Sequence, residues 1–144
     1  MPFVQISRKV LSDLVYHEME PAVGYARKTV VVQHDGDLEM GTVAFRAKTT
    51  NLNAPYAPVT AAADLSLDNE YVVLFGDHYG CKESWTATDD ATAVNSVGFN
   101  GDAGGVFLKD LYIIETTGFA RGSAEYNQLK QVLANQNMIL ETTL

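Results

Sequence analysis

The sequence predicts a mainly β domain with a minor α component, and three observations support this fold class. Short apolar runs rich in β-branched residues recur along the chain, turn residues separate them, and a clear helical period occurs near the C-terminal end. With 47 % hydrophobic and 19 % charged residues, the composition is that of a globular protein. We expect a compact β-barrel or β-tulip-like domain with an extended N-terminal arm and one C-terminal helix followed by a short strand.

The length of 144 residues indicates a single domain, which can bury a sizeable core without a disulfide or a metal ion. Residues 1–24 have a mixed pattern, since the residues from 10 to 15 follow a helical spacing and the preceding apolar residues favour extended chain. We therefore predict an N-terminal arm over residues 1–24, with its partner outside the main core, and a β-rich domain over residues 25–144. The extended apolar positions of the arm are Phe3, Val4 and Ile6.

The charge balance is acidic, with 18 acidic against 10 basic residues and a formal net charge of −8. Such a charge repels nucleic acids and anionic membranes at long range. Adjacent basic residues occur only at Arg8–Lys9 and Arg27–Lys28, and neither pair extends into a basic run. The single cysteine, Cys81, excludes an internal disulfide and fits a reducing compartment. Without a signal-peptide core or a stretch of ~20 apolar residues, the chain is expected to be made in a cytoplasm and to have no membrane partner.

The first strands are predicted from β-branched runs and the turn between them. Residues 28–33 indicate one strand and residues 42–47 a second, while residues 35–37 have the Asp-Gly chemistry of a turn. We predict that these two strands form a hairpin with a wide loop or a bulge. Residues 71–75 are continuously apolar and end at a glycine, which is typical of a strand buried on both faces.

The remaining segments carry weaker patterns until the C-terminal end. Residues 61–64 favour a short helical turn, and residues 76–105 favour loops with a short strand near residues 93–99. Two apolar runs, at residues 106–108 and 111–115, predict one or two further strands.

The C-terminal end has the best-defined pattern. Ser123 is a good N-cap, and the apolar residues that follow it recur at helical spacing. Asn135 to Asn137 can supply a left-handed C-cap, after which residues 138–142 return as a short strand. The apolar face of the predicted helix consists of Tyr126, Leu129, Val132 and Leu133.

No catalytic, metal or cofactor site is predicted. The three histidines, His17, His34 and His78, lack a recognised metal spacing, and a nucleophilic pair of Cys81 with His78 is a weaker interpretation than a plain loop cysteine. The glycine-rich residues 98–105 lack the Lys-Ser/Thr of a phosphate-binding loop, so we interpret them as a surface loop. Asp35, Asp37 and Glu39 lack the calcium-loop pattern and are interpreted as a solvated turn.

Three segments together resemble the head decoration (capsid cement) proteins of tailed bacteriophages. Residues 24–32 (GYARKTVVV) look like the entry to their first core strand, residues 36–43 (GDLEMGTV) like the following turn and strand start, and residues 129–140 (LKQVLANQNMIL) like their closing helix and strand. The chain departs from the family at Ala44–Phe45, where a further glycine is common, and at Asn137, where the family tends to have glycine. Residues 76–105 have no counterpart.

The resemblance implies a β-rich, commonly trimeric protein on the outer surface of an expanded icosahedral head. Its partner would be the major capsid protein, its location the virion, and its role the stabilisation of the head against internal DNA pressure. An arm carrying Phe3, Val4, Ile6 and Arg8 would add a strand to a capsid sheet edge. Deletion of residues 1–16 is then expected to leave a folded domain that no longer decorates heads. From composition, Trp85 and Phe99 are candidates for the oligomer contact or for an exposed protrusion.

Two other classes of function remain open on the sequence. One is another virion structural protein, such as a spike or a tail-tube component. The other is a small β-rich enzyme or carbohydrate-binding module, for which Tyr56, Tyr79 and Trp85 would have to form an exposed aromatic platform.

Overall fold

The computed structural model describes most of the chain and contains eleven strands and two α-helices within the described residues. The described residues are 14–18, 27–34, 36–48, 54–77, 80–81, 84–87, 92–97 and 106–141. The strands are β1 (Val15–Glu18), β2 (Arg27–Val32), β3 (Gly36–Glu39), β4 (Val43–Ala47), β5 (Ala57–Pro58), β6 (Asn69–Asp77), β7 (Gly80–Cys81), β8 (Ser84–Ala87), β9 (Thr92–Val97), β10 (Val106–Lys109) and β11 (Met138–Glu141). The helices are α1 (Leu111–Thr117) and α2 (Ala124–Ala134), and a 3-10 turn covers Ala62–Asp64.

The largest sheet is antiparallel, with the strand order β2-β9-β6-β4-β5 and with β7 paired to the end of β6. Its central strand β6 contains the apolar run predicted to be buried on both faces, and that prediction is confirmed, because Tyr71 through Phe75 are all buried. Alternation along β6 sends successive side chains to opposite faces of the sheet. Tyr71, Val73 and Phe75 belong to one core cluster, and Val72 and Leu74 belong to the other.

The two core clusters lie on opposite faces of this sheet. One is covered by both helices and contains most of the buried leucines. The other is smaller and contains Tyr56, Leu38 and Trp85 with small apolar residues of the large sheet. The sheet therefore separates two apolar layers, which explains why so many of its residues are apolar without a clean inside-outside alternation.

The predicted mainly β fold class is confirmed, and the described residues also contain two helices. The predicted barrel is not confirmed. The described strands form three separate sheets. The two edges of the large sheet come together at one isolated parallel bridge, which joins Val32 of β2 to Tyr56, the residue before β5. Two hydrogen bonds make this bridge: the Tyr56 N–H donates to the Val31 carbonyl at 2.8 Å, and the Gln33 N–H donates to the Tyr56 carbonyl at 2.9 Å.

A second sheet contains three strands in the order β1-β10-β11, with β1 antiparallel and β11 parallel to β10. The strand β1, which lies within the segment predicted as the N-terminal arm, is an edge strand of this sheet. Leu14, just before β1, is fully buried in the core beneath the helices. Phe3, Val4, Ile6 and Arg8 lie outside the described residues.

The predicted hairpin between residues 28–33 and 42–47 is wrong, although both strands exist as β2 and β4. The strand β9 pairs with β2, and β6 lies between β9 and β4. The segment interpreted as a turn is itself the strand β3, which pairs with β8. The short alternation of polar and apolar residues in β3 explains the error. Leu38 is buried between the exposed residues Asp37 and Glu39, so this half-buried strand contains the same acidic residues as a solvated turn.

The second correction concerns residues 111–115, which were predicted as a strand and form the helix α1. A strand there would need an edge of β10 to pair with, but β1 and β11 already occupy both edges. As a helix, the segment buries Ile113 and leaves Leu111 exposed. Gly118, in the left-handed conformation at φ 76°, ends the helix by donating its N–H to the Ile114 carbonyl at 2.8 Å.

The C-terminal prediction is confirmed. The Ser123 hydroxyl accepts the Tyr126 N–H at 3.1 Å as the N-cap of α2, and the predicted apolar face of this helix is buried. Asn137 adopts a positive φ of 62°, so it provides the left-handed residue that turns the chain from α2 into β11.

A glutamine side chain joins the end of α2 to the central strand of the large sheet. The Gln136 Oε1 accepts the Tyr71 N–H at 2.6 Å, and the Gln136 Nε2 donates to the Tyr71 carbonyl at 3.0 Å. This amide pairs with the backbone of β6 as a neighbouring strand would. It lies beyond the point where β9 stops pairing, because the β6–β9 register begins at Val73.

Candidate functional site

A cleft of about 290 Å³ opens to solvent where the turn from β3 to β4 meets β5 and α1. We call it the acidic cleft. It is lined by His34, Asp37, Leu38, Glu39, Thr42, Val43, Pro58, Val59, Thr60, Glu115 and Thr116. Its floor is apolar, because Leu38, Val43 and Val59 are buried, and its rim is polar.

The glycine in the turn from β3 to β4 positions both walls of the acidic cleft. Gly41 has a φ of +97°, and a Cβ built on it would lie 2.8 Å from the Tyr112 Cβ and 2.9 Å from the Tyr112 carbonyl carbon. Only glycine therefore allows α1 to approach the turn this closely. The Thr116 hydroxyl donates to the Gly41 carbonyl at 2.9 Å and holds α1 against the turn.

The described charged residues that line the acidic cleft are all carboxylates. Asp37, Glu39 and Glu115 on its rim are exposed, and none of the described lining residues is a lysine or an arginine. The Thr86 hydroxyl donates to the Asp37 carboxylate at 2.9 Å, which fixes this carboxylate at the edge of β3. An apolar floor under acidic groups suits a cationic side chain with an aliphatic stem.

A buried cluster in the large sheet, called here the sheet cluster, consists of Arg46, Glu70 and Tyr56. The Arg46 Nε donates to the Glu70 carboxylate, and both side chains are almost fully buried, at 8 % and 5 % exposure. The guanidinium lies over the Tyr56 ring, 4.4 Å from its centroid, and its Nη1 donates to the Ala54 carbonyl at 2.8 Å. The cluster thus fixes the segment before β5, whose backbone forms the bridge to β2.

Burial of the Tyr56 phenol raises its pKa to about 12, and the negative charge of Glu70 adds to the shift. The hydroxyl lies 3.4 Å from the Glu70 Oε1. A tyrosine that holds its proton this firmly is a poor general base at neutral pH. The contacts of the sheet cluster hold β4, β6 and the segment before β5 together.

A second cluster, the helix cluster, consists of Asp110, Arg121 and Tyr126. The Asp110 carboxylate is fully buried and accepts from the Arg121 Nε at 2.7 Å, from the Arg121 Nη2 at 2.6 Å and from the Tyr126 hydroxyl at 2.8 Å. The Asp110 carboxylate raises the pKa of Arg121 through its hydrogen bonds. Because Asp110 precedes α1 and Tyr126 lies on α2, this cluster joins the two helices.

Neither cluster, nor the acidic cleft, has the geometry of a metal site. Within the described ranges, no three His, Cys, Asp or Glu side chains are grouped so that they could hold a metal ion. Cys81 is exposed on β7, and His78, its partner in the nucleophilic interpretation, lies outside the described residues.

Of the two predicted oligomer contacts, only Trp85 is described. Trp85 is 8 % exposed and packs in the core cluster with Leu38, its neighbour across the β3–β8 pair. Its indole nitrogen is buried and has no hydrogen-bond partner among the described residues. Little of its surface is available to a second subunit, and its role as an oligomer contact stays a prediction. Phe99 lies outside the described residues.

Exposed apolar side chains lie on the outer face of the three-stranded sheet. Phe107 on β10 is 39 % exposed and pairs in register with the partly buried Ile139 on β11, so both side chains share one face. Leu111, at the start of α1, is 45 % exposed. Elsewhere, Leu67 is an isolated exposed leucine at 53 %.

The acidic cleft is not predicted by the sequence alone. Asp37 and Glu39 were noted as acidic residues of a solvated turn, whereas Glu115 was placed in a strand. The helical form of residues 111–117 brings Glu115 to the same cleft as the β3 acids. The available signal was the alternation of acidic and apolar residues from Asp37 to Glu39, which is the pattern of a half-buried strand.

Comparisons with protein-family models, with curated proteins and with solved structures give no match to this chain. Neither of the two described helices has the length and apolar composition needed to cross a bilayer.

Proposed function

We propose that this chain is a bacteriophage head decoration protein, which binds the major capsid protein on the outer surface of the expanded head and stabilises the shell. The observation that carries this proposal is the agreement between the three segments that resemble the family and the elements that they form. In chain order they contain the strand β2, the turn at Gly41 with the start of β4, and the unit of α2 and β11, although the second segment opens with the strand β3 where a turn was expected.

The departure at Asn137 is compatible with this proposal. The family tends to have glycine between its closing helix and last strand, where a left-handed residue is needed. Asn137 adopts this conformation with a φ of 62°. Asparagine tolerates it better than most other residues with a side chain, so the backbone of the motif is retained.

The physical mechanism requires differential binding to the expanded shell. A protein that binds only the mature state stabilises that state by its binding free energy. The arm before Leu14 enters the domain at β1, which lies next to β10 and its exposed Phe107. The arm and this apolar face would then form one continuous contact with the capsid. The proposed domain is a β-barrel or β-tulip-like fold, and the proposed assembly is a homotrimer.

The decisive experiment is co-sedimentation of the purified protein with empty heads, expanded and unexpanded. We expect saturable binding to expanded heads only, with electron microscopy showing density at threefold or quasi-threefold positions. Equal binding to both forms, or rings formed by the protein alone as expected for a tail-tube component, would contradict the proposal.

The truncation should remove residues 1–13 only, since removal of residues 1–16 would also remove the buried Leu14 and the first two residues of β1. We expect the protein lacking residues 1–13 to melt cooperatively and to lose head binding by about tenfold or more, equivalent to ~1.4 kcal/mol. Phe107→Ser should weaken binding as well, while Leu67→Ser serves as the matched control at an exposed site elsewhere. Unchanged occupancy by the truncated protein would exclude the arm from the contact.

A further inference from the structure

We propose that the acidic cleft is the docking site for an extended basic segment of a partner protein. The segment adds a strand to the open edge of β3 and places a lysine or arginine beside Asp37. This inference does not rest on the proposed function. The partner is defined by its chemistry, a short stretch in which a basic residue stands between two apolar residues.

The strand β3 borders the acidic cleft along the edge that faces away from β8. Among the described strands, β3 pairs with β8 alone, while β4 pairs with β5 and β6. The strands β3 and β4 therefore separate after the turn that joins them. The cleft lies between them, since its described lining residues come from both sides of this gap and none belongs to β8. An edge strand with space beside it can accept an extended peptide.

The turn after β3 shows which backbone groups face the cleft. The Glu39 carbonyl accepts the Thr42 N–H at 3.1 Å and the Thr42 hydroxyl at 2.7 Å, so it points away from β8. Backbone groups of alternate residues point to the same side of a strand, so the N–H and C=O of Asp37 share this direction. The 2.9 Å hydrogen bond from Thr86 to the Asp37 carboxylate agrees, since side chains are closer at cross-strand pairs whose backbones are not bonded to each other. Within the described residues, no hydrogen bond occupies these two backbone groups.

The opposite wall of the cleft has its backbone donors already occupied. Pro58 has no N–H. The Val59 N–H donates to the Val43 carbonyl at 2.8 Å, and the Thr60 N–H donates to the Asp64 carboxylate at 3.0 Å. A peptide in the cleft would therefore form its backbone hydrogen bonds with β3.

Pairing at Asp37 determines which side chains the peptide must carry. The peptide residue opposite Asp37 lies on the same face, with roughly 5 Å between the Cβ atoms, and Glu39 is its diagonal neighbour. A lysine or arginine at that position faces both carboxylates. The residues before and after it point to the other face, on which Leu38 is buried. Apolar side chains there would meet the floor of the cleft, which also contains Val43 and Val59.

The carboxylates that face the partner are those of Asp37 and Glu39, which are both exposed. Glu115 already interacts within the protein, so it is not part of the docking charge. Thr86 donates to one oxygen of Asp37, and a carboxylate can accept several further hydrogen bonds. An acidic peptide would be repelled by the two carboxylates. The volume of about 290 Å³ is near the lower end for ligand pockets, so the docked stretch is short.

NMR titration of the isotope-labelled full chain tests the docking. The probe is the peptide acetyl-TVKVT-amide, and the matched control peptide is acetyl-TVEVT-amide. We expect the lysine peptide to cause saturable shifts of the backbone amides of Asp37, Leu38 and Thr42, with a Kd on the order of millimolar because a short free peptide must be ordered on binding. The glutamate peptide should bind at least about threefold more weakly. The difference between the two peptides should shrink at ~1 M salt.

Two further comparisons separate charge from strand pairing. Asp37→Asn/Glu39→Gln should weaken the lysine peptide at least about threefold, whereas Glu141→Gln, which removes an exposed carboxylate on β11, should leave its Kd unchanged. A lysine peptide methylated on the backbone nitrogens of its three central residues keeps its side chains and cannot donate to a strand. We expect it to lose saturable binding.

Equal affinity for the lysine and glutamate peptides, or a Kd unaffected by Asp37→Asn/Glu39→Gln, would overturn the inference. So would equal binding of the methylated peptide, which would show that no strand is added. Shifts of the same amides when the free protein is concentrated would make a second copy the occupant. These titrations contain no heads, so failure of the peptide to bind leaves the proposed function standing. Peptide binding by a protein that binds no heads contradicts only the function.

Discussion

Two buried carboxylates in this protein have the same kinds of partner, an arginine and a tyrosine, but different surroundings. In the sheet cluster, Glu70 and its arginine are both withdrawn from water. In the helix cluster, Asp110 is fully buried while the Arg121 side chain is 38 % exposed. Charges that are both desolvated depend on each other more strongly than a pair that water still reaches. The sheet cluster should therefore be the more sensitive to loss of a partner.

The largest expected effect is at Arg46. Arg46→Met removes the guanidinium and leaves the Glu70 charge in an apolar environment, which is expected to lower the free energy of unfolding by about 3–5 kcal/mol. Denaturant titration measures the change. The double variant Arg46→Met/Glu70→Leu should lose less than the single variant, because it removes both charges. A double variant less stable than Arg46→Met would contradict the electrostatic explanation.

The Tyr126 hydroxyl should give the next largest effect. Tyr126→Phe deletes a 2.8 Å hydrogen bond to the buried Asp110 and keeps the ring in the core. Because the acceptor is a carboxylate, we expect a loss of about 1.5–3 kcal/mol in thermal or chemical unfolding. Equal stability of Tyr126→Phe and the parent protein would show that this bond does not hold α2 to the start of α1.

Arg121→Ala should have a smaller effect than Arg46→Met, although it breaks two short hydrogen bonds to Asp110. Water can replace part of the guanidinium because this side chain is partly exposed, so we expect a loss of stability that is smaller than that of Arg46→Met and that shrinks as the salt concentration rises. Unfolding curves at low and high ionic strength measure both properties, with Lys130→Ala as the exposed control. If Arg121→Ala lowered the free energy of unfolding as much as Arg46→Met, the helix cluster would be as sensitive as the sheet cluster, which would contradict the comparison.

The smallest effect at neutral pH is expected for Tyr56→Phe, which keeps the ring beneath Arg46 and removes only a hydroxyl 3.4 Å from Glu70. The two proteins should diverge in alkali. Since the pKa of Tyr56 is raised from 10.0 to about 12 in the folded state, its contribution to stability is complete below pH 10 and is lost as the pH rises through 12. Unfolding across this range should show a smaller loss for Tyr56→Phe. Parallel profiles would indicate that Tyr56 does not set the alkaline limit.

The elements that the sequence analysis predicted correctly are those in which local pattern and tertiary environment agree. The apolar run of β6 and the periodic face of α2 both match their burial. The predictions failed where an element was too short to show its period, as in β3, or where the neighbouring positions were already occupied, as in α1. Strand pairing was predicted wrongly for β2 because its partner β9 follows it by about sixty residues.

The candidate site was less predictable than the fold because its members come from distant positions. The acidic cleft combines β3 with α1, and its shape depends on the close approach at Gly41. In the sheet cluster, Arg46 and Glu70 are 24 positions apart, and no periodicity in one sequence relates them. The individual residues were visible as charged positions, but their association follows from strand pairing that a single sequence does not reveal.

Because the Gln136 side chain bonds to β6, the backbone amide of Tyr71 reports whether α2 and β11 stay docked on the central strand. The Tyr71 N–H is bonded by a side chain 65 positions further along the chain, at the end of α2. Deuterium can replace this proton only when that helix separates from the central strand or the entire domain opens. Its exchange rate, compared with that of Val73, would therefore show whether the helix undocks on its own or stays attached until the domain unfolds as a unit.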